Sequence, residues 1–315
     1  MMSERPRNPH RSNLIVPVHK PKFVGKCWLR DADVVTLDLE DSVLPSEKDS
    51  ARTQVKEGIR TAAQGGADVF IRINSEREMF YKDVAASMYP GLTGIHFPKV
   101  ESPWDVMELE KIMSELELER GLKPGSVLLH MAVETARGFL HLEKIIMASQ
   151  RLFSINVGQE DFSRDISVEL VDGDELAIPN FLMVIAATAY GVMPVGLVAS
   201  IANFKDKENF RKIVKNSVKV GLKGAAGIHP DQMPPLNEGF SPPKDQVDLA
   251  RRVVDIFEES KRIGDGAIAL DGRMIDKPLV DRALKLLERQ KEIDSFQSYK
   301  DMMVAKNGGN NNEKG

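Results

Sequence analysis

Val34-Val35-Thr36-Leu37-Asp38-Leu39-Glu40-Asp41 is an apolar run that ends abruptly in acid. The pattern recurs along the chain. Val69-Phe70-Ile71 runs into Arg72-Ile73-Asn74, Val127 to Val133 into Glu134, and Phe153 to Val157 into Gly158-Gln159-Glu160-Asp161. Strands that read as continuous apolar runs are buried on both faces, as in parallel sheets. In an α/β barrel every strand C-terminus opens onto one face, where active sites form. Residues far apart in sequence then share one cup, and this cup holds carboxylates and an arginine. Such a cup predicts a divalent metal and an anionic substrate.

Working outward, eight β-rich runs alternate with amphipathic segments, the signature of βα units. Strands are expected at Asn13–Val18, Val34–Asp38, Val69–Ile73, Gly94–Phe97, Val127–Val133, Leu152–Val157, Met193–Val198 and Ala225–Ile228. Helices are expected at Pro21–Arg30, Ser46–Gln64, Glu78–Met88, Pro103–Arg120, Phe139–Ala148, Ile178–Tyr190 and Lys207–Val220. Ser46 and Ser102 read as N-caps, the latter followed by Pro at the first helical position. The fold class is therefore α/β, a TIM (β/α)8 barrel with a C-terminal helical extension, in preference to an open doubly wound sheet. Neither GxGxxG nor a P-loop is present, so no dinucleotide or nucleoside triphosphate fingerprint is found. The expected division is a flexible N-terminus (1–12), the barrel (13–235), the extension (236–300) and a disordered tail (301–315). A Pro-rich linker from Met233 to Pro243 precedes a helix over Lys244 to Ile263. A short β piece (Ala267 to Leu270), a tight turn at Asp271-Gly272 and a last helix over about Pro278 to Ile293 follow.

A chain of 315 residues accommodates one barrel of about 250 residues plus extensions. The net charge of −4 and pI near 6.0 give no excess of positive charge for nucleic acid or an anionic membrane. One cysteine, Cys27, excludes an intrachain disulfide framework and reads as a core residue. The polar start Met1 to Arg11 lacks an apolar h-region, and the longest apolar stretch, Phe181 to Ala189, is too short to span a bilayer. The expected location is cytoplasmic.

Glu134 and Asp161 form the strongest pair, ending consecutive strands without a nearby His or Cys. All-oxygen sites suit hard cations, and two carboxylates plus water and substrate oxygens suit magnesium; ordinary loop carboxylates are the alternative. Arg72 can grip a carboxylate or a developing enolate bidentately, or form a structural ion pair with Glu40 or Asp41. The backbone of Gly158-Gln159-Glu160-Asp161 can cradle a carboxylate. His96, His130 and His141 lack metal-ligand spacing and read as structural. The acidic run Glu108 to Glu119 reads as a solvated helix face.

These segments also carry a resemblance. Leu37-Asp38-Leu39-Glu40-Asp41, Arg72-Ile73-Asn74, Pro98-Lys99-Val100-Glu101-Ser102, Glu134-Thr135-Ala136-Arg137-Gly138 and Gly158-Gln159-Glu160-Asp161 resemble, in order, motifs of the citrate lyase beta-subunit-like proteins of the HpcH/HpaI aldolase superfamily. Gly227-Ile228-His229-Pro230 and Asp271-Gly272-Arg273-Met274-Ile275-Asp276 resemble its late motifs. The resemblance implies a TIM barrel and magnesium-dependent cleavage or formation of a carbon–carbon bond, with manganese as an alternative ion. Substrates would be β-hydroxyacyl-CoA thioesters of the malyl-, citramalyl- or citryl-CoA type, giving a 2-oxo acid and an acyl-CoA. Glu134 and Asp161 would hold the metal, and Arg72 would meet the oxo acid or thioester oxygen, supported by Glu40 and Asp41. The backbone of Gly158 to Asp161 would take the acid's carboxylate.

By the same resemblance, Asp276 would be an acid/base delivered from a neighbouring subunit, making the active form a homo-oligomer, a trimer or hexamer. From its place before Lys277-Pro278, Asp276 also reads as an N-cap. Lys20 and Lys22 stand where the family usually has arginines for the CoA phosphates, in a segment one residue shorter. His229 and Pro230 would line the cofactor entrance. Two other readings stay open: a class II 2-oxo acid aldolase acting on free hydroxy-oxo acids, disfavoured by the lack of a histidine in Asp38–Ser42, and a non-catalytic acyl-CoA-binding barrel.

Overall fold

The alternation of runs produces eight parallel strands. A computed structural model describes residues 5–170, 175–200, 206–263, 269–270 and 273–308. The strands are β1 (Ser12–Pro17), β2 (Val34–Asp38), β3 (Asp68–Arg72), β4 (Gly94–Phe97), β5 (Leu128–Val133), β6 (Leu152–Val157), β7 (Met193–Pro194) and β8 (Ala225–Gly227). They form one sheet in the order β7-β6-β5-β4-β3-β2-β1-β8. Two backbone hydrogen bonds join its ends, from Gly196 N to Gly224 O (2.8 Å) and from Lys223 N to Pro194 O (3.0 Å). The β7 ladder is shorter than the expected Met193–Val198. Pro194 has no N–H to donate, and Gly196 turns the chain at φ 132°, a conformation that favours glycine.

Side chains alternate across these strands. One set, including Val35, Leu37, Val69, Ile71, Ile95, Leu129, Met131, Val133, Ile155 and Val157, is fully buried in the main core. Leu37 reaches the helix α2 (Lys48–Ala62), where a Cβ on Gly58 would lie 2.9 Å from its Cδ1. The other set lines the barrel interior and includes Thr36, Phe70, Arg72, His96, His130, Ala132, Glu134, Ser154 and Asn156.

Local chemistry sets the helix starts. Ser102 caps α4 (Pro103–Glu119) in a capping box with Asp105. Ser46 does not cap α2. It lies within a 3-10 turn, Pro45–Glu47, and Glu47 occupies the N-cap position. The helix expected over Phe139–Ala148 starts earlier and is broken, as Ala136–Leu140 and Leu142–Met147. Thr135 caps its first turn by accepting from Gly138 N (3.1 Å), and His141 at the break bonds Glu101 O through Nδ1 (2.9 Å).

The chain divides into two compact units: His10–Phe240 with Met303–Gly315, and Met1–Pro9 with Ser241–Met302. The expected flexible segment 1–12 is ordered near its end, since His10 and Arg11 are buried and β1 begins at Ser12. The barrel unit runs past 235, because the Pro-rich stretch forms a helix, Met233–Gly239, with Pro in its first turn. Within it, Asn237 accepts a hydrogen bond from Ser12 Oγ (2.6 Å). In the C-terminal unit, Lys244–Ile263 is helical as expected. Ala269–Leu270 pairs antiparallel with Arg273–Met274. The expected turn at Asp271-Gly272 and residues 309–315 of the expected tail lie outside the described residues. The last helix covers Lys277–Gly308, so residues 301–308 are helical and not a tail. Buried Ile293, Phe296 and Lys300 continue its packed face beyond the expected end.

On the barrel's N-terminal face, Asp33 accepts from Arg11 through backbone N (2.9 Å), Nε (2.9 Å) and Nη2 (3.0 Å), with both side chains buried. Removing one member of a buried pair strands the other's charge. Asp33→Ala is expected to lower stability by about 3–5 kcal/mol, measured by urea unfolding; a loss under 1 kcal/mol would show that the pair does not fix β1.

Candidate active site

The cup is organised by its buried ion pairs. Asp38 at the end of β2 accepts Nε (2.7 Å) and Nη2 (2.8 Å) of Arg72 at the end of β3, a bidentate pair between register partners. Asp38 also accepts the backbone N–H of Glu40 (2.9 Å) and Ser42 (3.1 Å), so it fixes the loop that follows its own strand. Burial pushes the Asp38 carboxyl up, but Arg72 and the two amides outweigh it and hold it below the usual range. Arg72 Nη1 reaches Glu40 (3.0 Å) and, more distantly, Asp41 (3.7 Å). Burial pulls the guanidinium pKa down, yet Asp38 and Glu40 raise it further, so Arg72 is permanently charged.

A second cation completes this side. Lys99 follows β4 with φ 54°, an uncommon conformation for a residue with a Cβ and costing about 1–3 kcal/mol. It aims Nζ at Glu40 (2.6 Å), with Asp41 at 3.7 Å and Asp161 at 3.9 Å. Burial lowers the Lys99 pKa, and contact with Glu40 more than reverses that. Beneath, Lys48 donates to Leu39 O (2.7 Å), Glu40 O (2.7 Å) and Asn74 Oδ1 (2.6 Å), pinning the acidic loop.

Glu134, at the end of β5, faces Asp161 in the first turn of the helix Gln159–Asp165. Gly158 makes the approach possible: a Cβ there would lie 2.5 Å from Glu134 Cγ. Burial, then the charges of Glu40 and Asp161, push the Glu134 carboxyl up to about 8. Asp161 is braced by Arg164 at 2.7 Å. Two carboxylates forced together, with Arg164 and the more distant Lys99 both facing Asp161, form an all-oxygen donor pair that a hard divalent cation fits. Among the described residues no group of three or more His, Cys, Asp or Glu is placed to hold a metal. A cation held by these two carboxylates would take its remaining positions from water and substrate, as magnesium commonly does. Gly158 N–H is committed to Val133 O (3.0 Å). The N–H groups of Gln159, Glu160 and Asp161 stand in the first helical turn, which supplies no acceptor of its own. A cavity of about 200 Å³ joins Arg72, Glu134, Gly158 and Asp161 to the barrel interior.

Lys20, Lys22, His229 and Pro230 are not among the residues that line this cavity. Lys20 and Lys22, at the start of the helix Pro21–Cys27, are exposed. His229 Nδ1 accepts from Asp231 N (3.2 Å) in a capping box with Gln232, on a 3-10 turn that starts at Pro230. Asp276 belongs to the C-terminal unit and acts as an N-cap, its Oδ1 accepting from Leu279 N (3.0 Å). Sequence reading missed Asp38 as the main partner of Arg72, and missed Lys99 and Lys48. Asp38 and Lys99 stood inside quoted motifs, but nothing local distinguished them from neighbouring charges.

Residues 11–230 match the family model HpcH/HpaI aldolase/citrate lyase. The citrate lyase subunit beta of Leuconostoc mesenteroides subsp. cremoris is 33% identical over 304 residues, 95% of this chain and 99% of that protein. The L-malyl-CoA/beta-methylmalyl-CoA lyase of Cereibacter sphaeroides (strain ATCC 17025 / ATH 2.4.3) is 31% identical over 313 residues, 92% of this chain and 97% of that one. Protein CitE from Mycobacterium tuberculosis, solved in complex with magnesium, acetoacetate and coenzyme A, superposes with a TM-score of 0.70 at 25% identity, covering 90% of this chain and 98% of that one. With relatives named as lyases along nearly its whole length, the chain is an enzyme of the lyase class. The chain belongs to the HpcH/HpaI aldolase/citrate lyase family.

The raised Glu134 gives a signed prediction. Its folded pKa, about 8, exceeds the ordinary carboxyl value, so the folded state holds a proton that the unfolded state has released. Without metal, stability should fall as pH rises from about 4.5 toward 8, and Glu134→Gln should flatten that slope. Magnesium should raise the melting temperature more at pH 8 than at pH 5.5. Equal metal shifts at both pH values would remove Glu134 from the ligand set.

Proposed function

We propose that this protein is a magnesium-dependent carbon–carbon lyase cleaving a β-hydroxyacyl-CoA of the malyl-, citramalyl- or citryl-CoA type to a 2-oxo acid and an acyl-CoA, or running the reverse condensation. The observation that carries this reading is the Glu134–Asp161 pair beside the Arg72–Asp38–Glu40 network at one barrel mouth. In cleavage, the β-hydroxyl loses its proton, the bond between the α and β carbons breaks, and its electron pair passes into an enolate of the acyl thioester. A proton then returns to the enolate carbon, closing the balance. Bound by Glu134 and Asp161, magnesium (or manganese) supplies Lewis-acid stabilisation of the hydroxyl oxygen as it becomes an oxo group. Arg72, held by Asp38 and Glu40, offers its remaining N–H groups to the developing negative charge. The amides of Gln159, Glu160 and Asp161 bind the acid's carboxylate, and Gly158 leaves room for Glu134 beside them.

Asp276 is the proposed acid/base, supplied by a neighbouring copy in a homotrimer or homohexamer. Support for an oligomer comes from the helix Ala177–Ala189, where Ile178, Phe181, Leu182 and Ile185 form an exposed apolar stripe at helical spacing. Lys20, Lys22, His229 and Pro230 are the proposed CoA contacts. The proposed location is cytoplasmic; among the described residues no helix is long and apolar enough to cross a membrane.

A panel of malyl-, citramalyl- and citryl-CoA with mass detection tests the activity: metal-dependent release of an oxo acid is expected. Turnover of a free hydroxy-oxo acid without a CoA effect would identify a class II aldolase, and CoA binding without turnover a non-catalytic barrel. Glu134→Gln should weaken magnesium binding at least about tenfold, and Asp276→Asn should lower kcat by about 10²–10⁴ with magnesium affinity intact. Mixing the two variants should restore part of the activity. No restoration would place Asp276 in its own chain's chemistry, and full activity of Asp276→Asn would end its acid/base role.

A further inference from the structure

The barrel interior departs from the usual plan. Inward positions of such barrels are ordinarily filled by bulky branched apolar side chains. Here the column below the cup carries Thr36, His96, His130, Ser154 and Asn156, with only Ala132 between His130 and Glu134 on β5. His130 Nδ1 pairs with Ser154 Oγ (2.8 Å). His96 is buried, and neither of its ring nitrogens has a hydrogen-bond partner; Asn156 Oδ1 also has none. Buried polar atoms are nearly always partnered, by protein, water or ligand. All these residues face the same cavity of about 200 Å³ that opens at Arg72, Glu134 and Asp161.

We propose that this interior is the specificity pocket for the oxo-acid half of the substrate, accepting a short neutral substituent that carries a hydroxyl and rejecting a second carboxylate, which narrows the proposed lyase away from the citryl-CoA type. The proposal rests on the lyase reading for the position of the acid at the cup. With its carboxylate at the amides of Gln159 to Asp161 and its oxo group between Glu134, Asp161 and Arg72, the substituent faces the cavity that continues from them among the described residues. His96, neutral, offers one N–H donor and one nitrogen acceptor, and Asn156 Oδ1 offers an acceptor: a hydroxyl satisfies donor and acceptor together. Neutrality follows from burial, which holds His96 far below the ordinary imidazole range and His130 at about 4. Among the described residues lining the cavity, Arg72 is the only guanidinium or ammonium, and it stands at the mouth, bonded to Asp38 and Glu40. A second carboxylate there meets a guanidinium whose charge Asp38 and Glu40 already balance, in a cavity also lined by Asp41, Glu134, Glu160 and Asp161, and burying a charge without its own partner is strongly unfavourable.

Calorimetric binding to the full chain with magnesium tests this, using glyoxylate, 2-oxobutyrate, 4-hydroxy-2-oxobutyrate and oxaloacetate as probes. The hydroxylated acid is expected to bind at least about tenfold more tightly than 2-oxobutyrate, and oxaloacetate at least about tenfold more weakly. His96→Phe should reduce the hydroxyl preference to about twofold or less. If that variant does not fold, Ala132→Val narrows the same cavity and should weaken both four-carbon neutral acids relative to glyoxylate by about tenfold. Oxaloacetate binding as tightly as the neutral acids, or a hydroxyl preference that survives His96→Phe, would overturn the pocket and leave the interior to ordered water. If no probe binds in the presence of magnesium, the lyase reading itself fails. If all four bind and none is distinguished, only the pocket fails.

Discussion

The bidentate pair between Asp38 and Arg72 is the contact on which the rest of the cup depends. It joins the ends of two neighbouring strands, and each partner is committed further. Asp38 ties down the amides of Glu40 and Ser42, and Arg72 takes Glu40 as a second carboxylate. Glu40 in turn receives Lys99 from the next loop. One chain of charge-assisted bonds therefore runs across three strand ends, with Lys48 and Asn74 holding its backbone from below. Such networks are costly to half-complete, because each buried charge left alone keeps its desolvation penalty. Arg72 is fixed before any substrate arrives, and preorganised charge of this kind costs no rearrangement during reaction.

Across the mouth the balance is reversed. Arg164 and Lys99 face Asp161, while Glu134 is buried against Asp161 and near Glu40, and its carboxyl is pushed up as a result. The two sides of the cup are thus complementary: one pairs its charges internally, and the other is left needing a cation. Gly158 is the steric condition for that second side, since any side chain there would displace Glu134. The neutral polar interior below separates the two from the N-terminal face.

That far face carries the stability. Arg11–Asp33 locks β1 to the turn before β2, and Glu117 collects Arg151 together with the amides of Gly125 and Val127. These groups are as buried as those of the cup, yet every charge there has its counter-charge. Conserving order at one end and leaving chemistry at the other is the usual division in such barrels.

The strands, their parallel sense and most element boundaries were legible in the sequence, because apolar runs broken by turn residues report burial directly. Glu134, Asp161 and Arg72 were legible as strand-end charges for the same reason. The partners of those charges were not. Asp38 rather than Asp41 holds Arg72 because register pairs them and burial strengthens the bond, and neither quantity is local. Lys99 enters the cup only through a backbone turn that its residue type does not announce. The polar barrel interior was hidden as well: His96, His130 and Ser154 read as scattered residues until parallel register set them side by side. The sequence by itself determined which segments are buried and which charges end them, since hydrophobic periodicity is written residue by residue. Only the tertiary structure decided which charges neutralise one another and which are left to bind, because that depends on distances and burial between strands far apart in the chain.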